Sequence, residues 1–324
     1  MNSFESINAG YDRTFRAGEM SIGVVVPIEN YEHGPVPSMT DHLSRVQLIE
    51  GLGFSALWIR DIPLNIPSFG DAGQTFDPFT YLGFLAGKTH TISLGISSIA
   101  LPLHHPLHVA KSAATIAQLS QGRLILGVAS GDRPGEYPAM GVDFDNRGQL
   151  FRDAFQYIRS AQERFPKLDG NHFGTLHENG DILPKPYGKK LPLLITGSSR
   201  QTPIWNAENG DGWMNYPKNL YAQQHTIREW RQLIHETGSY DKPFMQPLYI
   251  MLEENADFKP MPIHLGFRIG INYLVDYFHQ LKDIGVNHVA LNLRFQHIDV
   301  PAALEKIADK VLPHFYLQKQ KTTL

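Results

Sequence analysis

Apolar residues in this chain fall into two rhythms that alternate from one end to the other. Short, nearly unbroken apolar runs occur at 21–28 (SIGVVVPI), 56–60, 93–101, 124–129, 192–196, 212–215, 244–252 and 288–293. Their length and β-branched content predict buried strands. Between them, apolar residues recur every three or four positions. Leu43, Val46, Ile49 and Leu52 form such a face behind a Ser38 cap, and Leu150, Phe151, Ala154, Phe155 and Ile158 form one within 146–165. Further helices are predicted at 78–88, from Pro106 to a Ser120-Gln121-Gly122 stop, and at 202–209, 220–236, 268–284 and 300–315. Eight strands alternating with eight helices imply a parallel sheet, and eight units are what a closed (β/α)8 TIM barrel requires. An open doubly wound sheet is the structural alternative, but no GxGxxG follows the first strand.

Interruptions in the rhythm are insertions in the loops of one domain spanning 1–324. Residues 1–20 are expected as an arm packed on the surface or on a partner subunit, and 316–324 as a frayed polar tail. Residues 61–77 form a long loop, and 167–190 hold turns around short strands. Residues 253–267 read as a loop on the mouth side of the seventh strand, placed to cover a ligand and to order on binding.

Composition narrows the function. A net charge of −3 with no basic stripe argues against nucleic acid as a partner. The absence of cysteine excludes disulfides, thiolate catalysis and zinc–thiolate sites. No apolar run approaches the ~20 residues of a membrane span. The first twenty residues mix Glu5, Asp12, Arg13, Arg16 and Glu19 and do not form a secretory signal. A soluble cytoplasmic protein, expected to form a homo-oligomer, is the default.

Candidate chemistry lies where strands end, because sites of parallel α/β folds sit at the carboxyl ends. Two strands end in small polar residues, Ser97-Ser98 and Ser130-Gly131, leaving room for a large planar ligand; close strand packing is the plainer reading. The run Gly197-Ser198-Ser199-Arg200-Gln201-Thr202 before Pro203 resembles an anion cup at a helix amino end. An ordinary capped loop is its plain alternative. Asp61 ends the second strand at the mouth. Fifteen histidines raise a metal hypothesis. The densest cluster, His104, His105 and His108, lacks a carboxylate at helical spacing, so no metal is assigned and His104 is read as a loop histidine near the ligand. Asn292 and Arg294 point the same way by alternation, one or both toward the mouth, with a surface ion pair the plain alternative for Arg294. Tyr137 and Trp213 are candidate pocket walls.

The run GISSIALPLHHPLHVAKSAATIAQLSQGRLILGVASG, followed by Glu136, Gly141 and Arg147, resembles the bacterial luciferase-like flavin monooxygenase family. The resemblance is close through this segment and fainter along nearly the whole chain. It implies a cis peptide at Ser97–Ser98 supporting a flavin ring, with Gly197, Ser198 and Gln201 at the flavin phosphate. Ser199, Arg200, Ser130 and Tyr137 complete the expected cofactor set; Asp61 and His104 are the catalytic candidates. It further implies reduced FMN supplied by a reductase, reacting with oxygen to oxidise a small organic substrate. Relatives that use a deazaflavin for hydride transfer, or bind flavin without catalysis, are the alternatives. Two positions depart from the luciferases proper. Ser130 stands where they carry a phosphate-gripping arginine, whose charge Arg133 or Arg200 must replace, and Ile62 stands where they carry a histidine base.

Overall fold

The computed structural model describes residues 3–34, 36–170, 172–176 and 180–315. Among these residues eight parallel strands close into a barrel: β1 (Ser21–Val25), β2 (Ala56–Ile59), β3 (Ser93–Ala100), β4 (Leu124–Ala129), β5 (Leu193–Thr196), β6 (Gly212–Met214), β7 (Phe244–Leu252) and β8 (His288–Asn292). Each pairs with the next, and β8 with β1. The connecting helices are α1 (His42–Gly51), α2 (Pro78–Ala86), α3 (Pro106–Leu119), α4 (Arg147–Ala161), α5 (Pro203–Asn209), α6 (Leu220–Glu236), α7 (Ile271–Asp283) and α8 (Val300–Lys310). The (β/α)8 barrel expected from the pattern is the observed fold.

Helix starts follow local chemistry. Asp77, Thr202, Asn219 and Asp299 each accept the backbone N–H three residues on, opening α2, α5, α6 and α8. Proline in the first turn, where no intrahelical donor is lost, adds to α2, α3, α5 and α8. Ser38 does not cap α1 as expected. Its hydroxyl donates to Glu29 at 3.0 Å and accepts from the Thr40 amide, and the helix begins only at His42.

The stretch 253–267 is not a plain loop. It contains a hairpin, Met261–Ile263 with Gly266–Ile269, whose second strand runs parallel to Tyr249–Leu252. The cause is the length of β7, whose last residues extend past β6 and β8 and would otherwise leave an open edge. Gly266 is needed there, because a Cβ would lie 1.7 Å from the Tyr249 carbonyl oxygen. The 167–190 insertion holds a short hairpin, Leu168–Gly170 with Gly174–Leu176. Its turn residues Asn171 and Asn179, and the tail 316–324, lie outside the described residues.

Residues 3–20 do more than lie along the surface. Ile7, Tyr11 and Phe15, around a short helix Ala9–Thr14, join Val25, Ala56, Trp58, Ile125, Leu194, Met214, Met245 and Ala290 in one apolar cluster. These strand residues are the inward positions of the barrel, so the amino-terminal segment closes its floor. Tyr11 donates to the Asp211 carbonyl at 2.7 Å and Asn8 to that of Leu124 at 2.9 Å, fixing the plug.

Above the floor, the Trp58 indole donates to His288 Nε2 at 2.8 Å. Indole can only donate, so the imidazole proton sits on Nδ1 and goes to Ser21 Oγ, 2.7 Å away. Ser21 in turn donates to the Thr14 carbonyl at 2.6 Å. The two rings leave no room on the flanking strands. A Cβ at Gly95 would meet Trp58 at 2.2 Å, and one at Gly23 would meet His288 at 2.8 Å. No helix among the described residues is long and apolar enough to cross a membrane.

Complete burial pushes His288 down to about 3 from its ordinary 6.5. The folded state therefore keeps it neutral while the unfolded chain takes up a proton. The stabilisation this represents is fully present above pH 6.5 and drains as pH falls toward 3, by up to roughly 4–5 kcal/mol. Urea midpoints measured from pH 7 to 4 should fall steeply for the wild type. In His288→Gln, which keeps a donor and an acceptor but does not titrate, the slope should flatten; an unchanged slope would assign the acid sensitivity to other groups.

Candidate active site at the barrel mouth

Inward positions near the strand carboxyl ends are small or polar, and two connected cavities open over them. The inner one has a volume of about 620 Å³ and the outer about 330 Å³. They share Arg60, Phe69, Ser97, Ser98, Thr196 and Tyr216, so they are two halves of one cleft. Val25, Met214, Met245, Pro247 and Ala290 give the inner half an apolar base, and Tyr249, Phe295 and Leu265 contribute its walls. Leu265 and His264 form the turn of the 261–269 hairpin, which thus reaches over the cavity.

Ser97 and Ser98 sit where the halves meet. Their peptide bond is cis, as the resemblance implies, and the pairing of β3 with β4 slips between Ile96 and Ile99. The Ser98 and Thr196 hydroxyls are hydrogen-bonded across the cleft. Such a bulge re-aims a strand end toward the site.

The outer half is polar. Ser130, Gly131, Gly197, Ser198, Ser199 and Arg200 line it, with Arg133 and Arg147. After β5 the chain turns sharply, with φ of +55° at Gly197, +45° at Ser199 and +61° at Arg200. Ser199 donates its hydroxyl to the Thr196 carbonyl at 2.8 Å, and the Trp213 indole donates to that of Gly197 at 2.8 Å. Trp213 thus braces the turn rather than lining the cleft. Gln201 also braces it: its amide donates to the Gly148 carbonyl at 2.7 Å, and its oxygen accepts from Arg152 at 2.9 Å. Ser198 and Arg200 remain exposed. Tyr137 lies outside the lining; it is fully buried behind the strand end and donates its hydroxyl to the Ser130 carbonyl.

Asp61 lines the outer half, its carboxylate held by the Ala100 amide at 3.0 Å and by His104 Nε2 at 2.8 Å. Burial alone would push His104 down, but the hydrogen bond and charge of Asp61 outweigh it and the imidazole is raised. The three clustered histidines diverge: His105 packs on Tyr157 and Phe173, and His108 packs edge-on against His105. No group of three or more metal-binding side chains forms among the described residues.

Asn292 and Arg294 both line the inner half, in the shared direction alternation predicts. Sequence reading overlooked Asp71, which accepts from Arg60 at 2.5 Å and lies 3.5 Å from Arg294. Burial raises the Asp71 carboxyl, but Arg60 more than reverses this and holds it below its usual range. Arg60 itself was legible in principle, being two residues past the inward Trp58. Asp71 was not, because it hangs from a loop without periodicity. Glu136 was likewise quoted only as part of a motif. It is buried in the wall of the outer half, and its Oε1 lacks a partner among the described residues.

Burial pushes Glu136 up to about 7; Arg133 opposes the rise and Asp61 adds to it. A carboxyl raised in the fold favours folding at pH below its unfolded value, near 4.5, and that contribution is lost as pH rises through 7. Glu136→Gln should therefore raise the urea midpoint more at pH 8.5 than at pH 5.5. Equal gains at both values would mean that Glu136 is ionised throughout.

A model of the luciferase-like monooxygenases matches residues 20–257. An uncharacterised protein of Mycobacterium tuberculosis is 28% identical over 192 residues, which are 54% of this chain and 67% of that protein. The alkanal monooxygenase beta chain of Photorhabdus luminescens is 31% identical over 151 residues, so the match spans only 44% of each chain. Among solved structures, an F420-dependent secondary alcohol dehydrogenase in complex with an F420–acetone adduct has a TM-score of 0.75. That match covers 92% of this chain and 100% of that one at 17% identity. The FMN-bound oxygenating constituent of 3,6-diketocamphane monooxygenase from Pseudomonas putida has a TM-score of 0.69, covering 92% and 99% at 14% identity. At those identities the solved structures share the fold.

Proposed function

This chain belongs to the luciferase-like monooxygenase family, and from that premise we propose that it is a flavin-dependent monooxygenase using reduced FMN and oxygen on a small organic substrate. The observation that carries the reading is the division of one cleft into a polar, arginine-lined half and an apolar half, meeting at Ser97–Ser98. FMN has the same division, a charged phosphate at one end and a flat ring at the other.

The residues fit that cofactor. Ser130, Gly197, Ser198 and Arg200 would hold the phosphate, with Arg133 and Arg147 supplying charge that Ser130 does not. Three buried polar atoms in that wall, Arg133 Nη1, Glu136 Oε1 and Arg147 Nε, have no partner among the described residues, so the protein's own contacts leave polar capacity there. The ring would lie against Ser97–Ser98. When bound in its reduced form, the flavin supplies the electrons and the oxygen-activating chemistry. The apolar base of the inner half excludes water from the reacting centre. Asp61, fixed by Ala100 and His104, is the group placed to take or return a proton at its carboxylate oxygen, in place of the histidine that Ile62 replaces. A flavin reductase is the proposed source of reduced cofactor, and the cytoplasm the proposed setting.

The phosphate end should supply much of the affinity, so FMN should bind far better than riboflavin. Charge-assisted hydrogen bonds contribute about 1.5–3 kcal/mol each, partly offset by phosphate desolvation. A net preference of about 30- to 1000-fold is expected, at roughly 1.4 kcal/mol per tenfold. Ser198→Glu, at an exposed position, should abolish the preference and leave the fold intact. Titrating FMN, riboflavin and a deazaflavin against both proteins, oxidised and reduced, tests this directly. Equal affinity of the wild type for FMN and riboflavin would move the phosphate elsewhere, and tighter binding of the deazaflavin would replace the oxygen-dependent reading.

A further inference from the structure

The inner half of the cleft is apolar at its base but carries two guanidiniums and one carboxylate above it: Arg60, Arg294 and Asp71. Asp71 is shared. One of its oxygens accepts from the Gly73 amide at 2.8 Å, and the other faces both arginines. Arg60 makes its single side-chain hydrogen bond among the described residues to this carboxylate. Arg294 donates to the Gly70 carbonyl at 3.0 Å and lies only 3.5 Å from Asp71, and its buried Nε has no partner among the described residues.

A purely structural ion pair would match charge one to one. Here one guanidinium is left over in a cavity walled by Met245, Pro247, Ala290 and aromatic rings, where an uncompensated charge is costly. The planar guanidinium fork suits an oxyanion with two coplanar acceptors. We propose that the substrate of this site is an amphiphilic organic anion. Its single carboxylate or sulfonate head is received by Arg294 with Arg60, and its apolar body lies against the Tyr249, Leu265 and Phe295 walls, beside the apolar base that the flavin ring would cover. This rests on the flavin reading for the reaction, but not for the binding. Arg60 also lines the outer half, so a bound flavin is the competing partner for the spare charge; Arg294 lines the inner half alone.

Octanoate, octanesulfonate and octanol have matched tails and differ in the head. Each is titrated calorimetrically against the full chain, with and without saturating FMN, and FMN is titrated separately. Octanoate or octanesulfonate should bind at least about tenfold more tightly than octanol, and which of them leads identifies the head. Arg294→Met should bring the anions to the level of octanol while leaving FMN affinity unchanged. Arg294→Lys, which keeps the charge but loses the fork, should retain part of the preference and guards against misfolding of the first variant. Octanol binding as tightly as the anions, or neither anion binding, overturns the proposal. So does a loss of FMN affinity in Arg294→Met that matches the loss of anion affinity, which would assign the arginine to the flavin. An anion preference that persists in a wild type unable to bind FMN would instead overturn the flavin reading and leave this one standing.

Discussion

The hydrogen bond from Trp58 to His288 is the constraint on which the rest of the barrel depends. It joins the inward indole of β2 to the imidazole at the start of β8, inside the closed sheet. A barrel interior is a packed core of alternating residues, so a large ring at one position forces small residues beside it. Gly23 and Gly95 are those small residues. The pair also fixes a tautomer, so the polar chain from Trp58 through His288 and Ser21 to Thr14 is satisfied at every link. A buried network of this kind stabilises only when complete. With the centre of the barrel filled at that level and Tyr11 and Phe15 closing the floor, the strand ends above can carry Ser97, Ala129, Thr196 and Ala290 instead of bulky residues. The cleft is therefore the consequence of packing below it.

Charge is handled differently in the two halves of that cleft. In the outer half, carboxyls and arginines line one polar channel together: Asp61, Asp132 and Glu136 with Arg133, Arg147 and Arg200. None of these arginines neutralises Glu136 enough to keep it at its ordinary value. In the inner half the loop after β2 brings a single carboxylate to two arginines, and Arg133 reaches the same loop from outside. It donates to the Asp71 carbonyl at 3.0 Å and stacks over Phe69 at 3.9 Å. Three arginines from three different strand ends thus hold one loop over the cavity.

How much of this was legible depended on periodicity. The strands and helices, and hence the barrel, were readable because a period of two or of 3.6 sorts residues into faces whatever the distant contacts. The boundaries of β4, α6 and β7 follow from it directly. Ser38 misled, because a capping residue was inferred from its type, while Glu29, distant in local pattern, claims its hydroxyl. The 261–269 hairpin was missed because its pairing partner is β7, and an edge in need of cover cannot be seen in a local window. In the site, residues at strand ends (Ser97, Ser98, Ser130, Asp61, Asn292, Arg294) were found, since topology alone puts them at the mouth. Tyr137 was named as a cofactor contact and proves to be a buried prop, and Gln201 has its amide committed to Gly148. Asp71 was invisible because only tertiary contact with Arg60 gives it meaning.

One departure from the luciferases proper, Ile62, is connected to these contacts. Ile62 lines the outer half, and its Cδ1 lies only 2.5 Å from where a Cβ on Gly73 would project. Gly73 has φ of +57°, so the loop folds back onto Ile62 at a residue that could bear no side chain there. That fold-back is what sets the Gly73 amide on Asp71 and Asp71 on Arg60. An apolar residue at 62 thus supports the loop that carries the inner carboxylate, and a charged or hydrated ring in its place would oppose that packing. The neighbouring Asp61, to which the proposed function gives the proton, has its carboxylate oriented by the β3 backbone and His104. Seen this way, the isoleucine is not simply a lost base. It ties the loop that carries Asp71 in the inner half to the lining of the outer half, so that the two halves of the cleft would have to change together.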